Sequence, residues 1–223
     1  TGTYGAAMHL PTKPGISHQG TYKPGQSARY PLILLGAISV WWLMMAVNPA
    51  FPKDWLLENV LVFVVLGLLV RYYGKLRFSD FSYTMVFMFL SIHAVGAHFT
   101  NAEVPNREWL GLPMDGRNHF DRIVHFLYGF LLMPAFIELL HARTEIQGIW
   151  RNLLPVALVM AQSNLYELIE WLAVVVFGGP LGQAYLGTQG DVWDAQRDSA
   201  LAALGAVCGL TVYRIYQRSR GQK

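Results

Sequence analysis

Six apolar stretches, each close to the ~20 residues that a membrane-spanning helix needs, constrain this chain more than any other feature. They fall at about 31–48, 55–73, 79–99, 119–141, 152–177 and 194–216, with short polar segments between them. In hydrocarbon no water satisfies the backbone, so a helix, which bonds all its own peptide groups, is the economical way across. The expectation is therefore an all-α, polytopic membrane bundle of about six transmembrane helices. Composition agrees, with 53% hydrophobic residues against 14% charged. A net charge of +3, with no basic run interleaved with aromatics, excludes nucleic acid and leaves the lipid bilayer as the expected partner. Cys208 is the only cysteine, which excludes an intramolecular disulfide and a thiolate metal cluster.

The punctuation fits the same division. Pro49 and Pro52 break the first connection, and Gly178, Gly179 and Pro180 stop the fifth helix. Residues 1–30, with Pro11, Pro14, Pro24 and five glycines, read as an irregular arm without a secretory signal. An arm of this kind suits gripping another subunit of a membrane complex. Residues 31–217 form the six-helix domain, and 218–223 a basic tail.

Lys and Arg accumulate in cytoplasmic connections, so their distribution orients the bundle. Of 17, twelve lie in the arm (Lys13, Lys23, Arg29), the second and fourth connections (Arg71, Lys75, Arg77, Arg143, Arg151) and the tail (Arg214, Arg218, Arg220, Lys223). The alternate connections hold only Lys53, Arg107 and Arg117. Both termini are therefore expected in the cytoplasm, with 49–54, 100–118 and 178–193 facing the periplasm.

That orientation gives the intramembrane polar residues a depth. His93 and His98 lie near the outer end of the third span, and His119, Asp121, Arg122 and His125 at the outer start of the fourth. The fifth carries Tyr166, Glu167 and Glu170 in its outer half, and the sixth begins after Asp191 with Asp194, Arg197 and Asp198. At 1.5 Å rise per residue, His93, His125, Glu170 and Asp198 lie roughly 6 to 11 Å below the outer boundary. Asn118, Asp121, Arg122 and His125 are three and four residues apart and share a face; so do Ser163, Tyr166, Glu167 and Glu170, and so do Asp194 and Asp198. His93 and His98 are five apart, about 140° around the helix. Of the two, His93 is the better candidate to face the others.

Ionisable groups in hydrocarbon cost several kcal/mol unless they are paired. Three uses remain open. His93, His98, His119, Asp121, His125, Glu167, Glu170, Asp191, Asp194 and Asp198 form a ligand pool for zinc, iron or manganese, since imidazole and carboxylate suit these ions and bundles build such sites from facing helices. Alternatively Arg122 and Arg197 neutralise Asp121, Asp194, Asp198 and Glu167 in an ion-pair network that fixes packing. In the third case the arginines face a lipid headgroup or other substrate without metal. Residues 187–190, Gly-Thr-Gln-Gly, lack the lysine of a phosphate loop and read as a turn delivering Asp191. No Ser-His-Asp arrangement stands out, and the repeats and broken midplane helices of a transporter are missing. A metal-dependent site hydrolysing a lipid or periplasmic substrate and an accessory subunit of a larger complex are the two functional expectations.

Four of these segments also carry a resemblance: His-Ala-Val-Gly-Ala-His at 93–98, Arg-Asn-His-Phe-Asp-Arg-Ile-Val-His-Phe at 117–126, Tyr-Glu-Leu-Ile-Glu-Trp at 166–171 and Leu-Gly-Thr-Gln-Gly-Asp-Val-Trp-Asp-Ala-Gln-Arg-Asp at 186–198. Together they resemble the YjdF-type family of bacterial inner-membrane proteins over roughly residues 31–215. The resemblance implies a multi-pass protein of the bacterial plasma (inner) membrane and implies little about activity. The family's characteristic residues fall on His98, Glu103, Pro105, Asn118, Asp121, Arg122, His125, Glu167, Glu170, Asp191, Asp194 and Asp198. The long arm departs from the family pattern and suits a specialised, complex-bound member.

Overall fold

The computed structural model describes residues 28–111, 113, 116–179 and 187–221. The arm up to residue 27 and tail residues 222 and 223 lie outside the described residues. Every described element is helical: α1 (Arg29–Met45), α2 (Pro52–Tyr72), α3 (Asp80–Phe99), a 3-10 turn (Asn101–Glu103), the short α4 (Asn106–Trp109), α5 (Phe120–Arg143), α6 (Trp150–Phe177) and α7 (Asp194–Ser219). The six long helices match the six apolar stretches to within a few residues at each end.

Local chemistry sets the boundaries. Pro52 opens α2, where its missing N–H is not needed. Ser79 caps α3 by accepting the Ser82 N–H at 3.2 Å. Asn118 Oδ1 accepts the Phe120 N–H at 2.9 Å and leads the chain into α5. Gly178, at φ 58°, ends α6 in the left-handed region that favours glycine. Helices α2, α3, α5 and α7 are long and apolar enough to cross a membrane. At 17 residues α1 is shorter than a full span, while α6 has 28 residues but carries Gln162 near its middle and Asn164, Glu167 and Glu170 in its second half.

Hydrogen bonds fix the helix directions. Tyr30 Oη meets Thr84 Oγ1 at 2.6 Å, Trp41 Nε1 donates to the Ser91 carbonyl at 3.0 Å, and His98 Nδ1 lies 2.8 Å from the Met45 carbonyl, so α1 and α3 run parallel. Tyr128 donates to Gln162 at 2.6 Å, Ser199 to Asn164 at 3.4 Å and Arg214 to Asn152 at 2.9 Å, which sets α6 antiparallel to α5 and α7. Helices α1, α3 and α6 thus run one way and α2, α5 and α7 the other. Arg29 and Ser219 lie at the same end of the bundle.

The core is the seam between α5 and α7. Met133, Ile137, Ala202 and Ala206 are fully buried there, joined by Val159 of α6. Gly129, Gly205 and Gly209 let the two backbones touch, because a Cβ on any of them would strike main-chain atoms of the other helix. This contact holds the first turns of α5 and α7 side by side.

At the other end of the seam, Glu138 ties three helices together. Its Oε2 accepts the Ser79 N–H at 2.8 Å, and its Oε1 accepts the hydroxyls of Ser79, Ser82 and Tyr213 at 2.6, 2.8 and 2.8 Å. Glu138→Ala leaves those buried donors unmatched and should lower stability by about 1–3 kcal/mol in thermal unfolding in detergent. Glu138→Gln, which keeps an acceptor oxygen, should fall between the two.

Candidate functional site

Because α5 and α7 start together and run parallel in contact, their first turns bring Asp121 and His125 beside Asp198. One ligand atom from each of the three lies within 4.8 Å of the other two. All three are buried, Asp121 at 8% exposure, His125 at 7% and Asp198 at 1%. His125 Nε2 is 3.7 Å from Asp121 Oδ1 and 3.4 Å from Glu167 Oε1. Glu170, one helical turn on from Glu167 and Tyr166, is also buried on the α6 side, as is Ser163. Asp198 Oδ1, Glu167 Oε1 and Ser163 Oγ are buried without a hydrogen-bond partner among the described residues.

Above this cluster lies a rim of ion pairs. Arg117 pairs with Asp194, and Arg197 with Asp191. Arg122 reaches Asp191 at 2.5 Å and Asp194 at 3.6 Å. The turn expected at 187–190 is present, with the Asp191 N–H bonded to the Thr188 carbonyl at 2.9 Å. Gln189 clasps the Asn118 backbone through both amide atoms, at 2.8 and 3.0 Å. The turn therefore delivers Asp191 to the arginines. This corrects the ion-pair expectation in one respect: the pairs of Arg122 and Arg197 fall on Asp191 and Asp194, not on Asp121, Asp198 or Glu167. The physical reason is that Arg122, next in sequence to Asp121, projects about 100° away from it around the helix. Arg117, in the connection ahead of α5, is the third member of the rim.

Asp191 lies outside the spanning segments. The Trp193 N–H, at 3.0 Å, and the Arg197 and Arg122 guanidiniums hold its carboxyl below its ordinary value of 3.8. A depressed carboxyl contributes stability that is present above the unfolded value and is lost as pH falls through the folded one. Thermal unfolding of Asp191→Asn should therefore lie below wild type at pH 6, and the gap should narrow as the pH falls below 3.8, as wild type loses the contribution that the variant never has.

The other histidines separate. His93 is buried beside Glu58, stacked on Phe89 at 6.0 Å, with Nε2 unpartnered. His98 turns the other way and bonds the Met45 carbonyl, where it clasps the α1–α2 connection together with an Ala50 N–H to His98 carbonyl bond of 2.9 Å. His119 is exposed at the rim, 3.5 Å from Arg122. Sequence reading missed Glu58. Its carboxylate accepts Tyr166 Oη at 2.7 Å and Asn101 Nδ2 at 3.2 Å, and Tyr166 stands edge-on to His125 at 6.1 Å. The signal was there: Asp54 and Glu58, four apart at the head of an apolar span, are two of the three buried residues of α2, the third being Asn59.

The family described as "Predicted membrane protein (DUF2238)" matches residues 30–219, nearly all of the described bundle. The chain belongs to the DUF2238 family. Inner membrane protein YjdF of Escherichia coli (strain K12) is 37% identical to it over 189 residues, covering 79% of this chain and 87% of that protein. The resemblance carried by the four motifs thus holds over most of the chain. No solved structure matches.

In this DUF2238 protein the chemistry divides by depth. Arginines neutralise Asp191 and Asp194 at the rim, whereas Asp121, Glu167 and Asp198 gather around the His125 imidazole below it, with Glu170 buried beside them. Hard carboxylate oxygens with a borderline nitrogen suit manganese, iron or zinc. Three helices, α5, α6 and α7, supply the donors, and a seam of touching backbones fixes two of them.

Proposed function

We propose that this DUF2238 protein is a multi-pass protein of the bacterial inner membrane that binds a divalent metal ion in the periplasmic leaflet. Asp121, His125 and Asp198 are the ligands, and Glu167 and Glu170 complete the shell. One observation carries this reading: three buried donors from two helices converge within 4.8 Å, and Asp198 Oδ1 has no hydrogen-bond partner among the described residues. Buried like charges repel and are expensive without a counterion, and a divalent cation supplies one. When bound, such an ion lowers the pKa of a coordinated water and provides a nucleophile toward a lipid or periplasmic substrate. The charge distribution of the connections supports cytoplasmic termini, and the alternating helix directions agree with six crossings.

Two experiments test this reading. Purified wild type should retain about one manganese, iron or zinc ion per chain in elemental analysis, as a three-donor site with neighbouring carboxylates requires. Metal-free wild type that takes up none on titration would remove the reading. A cytoplasmic reporter fused after Lys223 should be active; activity from a periplasmic reporter alone would place the cluster in the opposite leaflet.

A further inference from the structure

At the end of the bundle away from the carboxylates, α2 and α5 draw apart around a groove of 340 Å³. Leu68, Leu69, Tyr72 and Leu76 line one wall, and Leu139 and Arg143 the other. The gap has a cause in the packing. The buried residues of α2 are Asp54, Glu58 and Asn59, all near its start, so no buried side chain holds its second half to the bundle. Helix α5 is drawn toward α7 by the glycine seam. What remains between them is an apolar trough, continuous with the exposed apolar face of α2 at Val64, Val65 and Leu68.

The mouth of the trough is cationic. The Arg143 side chain is exposed, and among the described residues it has no ion-pair or hydrogen-bond partner. Among the described residues Arg143 is the one basic residue that lines the groove, and no acid does; Arg71, over the Tyr72 ring at 5.6 Å, and the exposed Lys75 lie outside its lining. A trough of this volume falls at the lower end of small-molecule sites, and basic sockets between membrane helices recognise anionic headgroups.

We propose that this groove binds an anionic phospholipid of the surrounding bilayer. An acyl chain lies along Leu68, Leu69 and Leu139, and the headgroup phosphate meets Arg143 at the mouth. The lipid fills the space that α2 does not close, and it tethers the second half of α2 to α5. This site is separate from the carboxylate cluster and does not depend on a metal being bound there.

Native mass spectrometry and thermal unfolding of the full chain in detergent test the assignment, with phosphatidylglycerol, phosphatidylcholine and inorganic phosphate as probes. Phosphatidylglycerol should bind about fivefold more tightly than phosphatidylcholine, the effect of one basic contact, and should raise the unfolding temperature. Arg143→Gln should bring the two lipids to equal affinity, and Leu69→Trp, which fills the trough from a lightly packed helix, should abolish retention of both. Equal affinity of the two lipids for wild type would overturn the proposal. So would a preference that survives Arg143→Gln, binding that survives Leu69→Trp, or the same stabilisation by inorganic phosphate.

Discussion

Gly205→Val should prevent the bundle from assembling. A Cβ at this position meets the Phe126 carbonyl and the Phe130 amide nitrogen, which are main-chain atoms that no rotamer change can move aside. Gly129 faces Ala202 and Ala206 in the same way, and Gly209 faces Phe130. Relief therefore requires α5 and α7 to separate along their whole seam, exposing Met133, Ile137, Ala202 and Ala206. The loss should exceed about 3 kcal/mol, the range reached by overpacking a core with no room to yield. It should be seen as a collapse of folded, monodisperse protein in detergent. Gly67→Val, where nothing lies within 4 Å of the added carbon, should remain near wild type. Separation of α5 from α7 also parts Asp121 and His125 from Asp198, so any residual Gly205→Val protein should bind no metal.

The second large effect is a change of order between variants. Asp198→Asn removes one of several carboxylates gathered around His125, so in metal-free protein it should leave stability unchanged or raise it, by about 1 kcal/mol, as relief of buried like charge does. With metal the order reverses. A ligand at a hundred times its dissociation constant stabilises the native state by about 2.7 kcal/mol, and the variant should gain almost none of this. Thermal unfolding with a chelator and with added Mn²⁺ reads both arms. Were Asp198 only a packing partner, the variant would lie below wild type by the same amount in both conditions.

Much of this arrangement was legible in residue spacing. The stripes Asp121–His125, Ser163–Glu167–Glu170 and Asp194–Asp198 are one-turn repeats, and each reaches the same end of the bundle because α5 and α7 start there and α6 ends there. The separation of His93 from His98 follows equally from five residues of helical rotation. Pairings between helices were not legible. Nothing local says that Arg117 rather than Arg197 meets Asp194, because that depends on how the turn at 187–190 folds back over Asn118. Glu58 was missed for a related reason: at the start of a span it reads as an interfacial charge, and only the approach of Tyr166 from α6 shows it reaching inward. The Gly205-x-x-x-Gly209 spacing signals a close helix contact, but its counterpart Gly129 is identified only once α5 and α7 are seen to run parallel.

Pulsed electron paramagnetic resonance of protein incubated with Mn²⁺ tests the proposed metal site most directly, because it detects ligand nitrogen. With His125 as a ligand, the spectrum should show ¹⁴N coupling from an imidazole that disappears in His125→Gln while ion binding is weakened. A spectrum of fully hydrated Mn²⁺, or nitrogen coupling that persists unchanged in His125→Gln, would contradict the assignment of Asp121, His125 and Asp198 as a metal site.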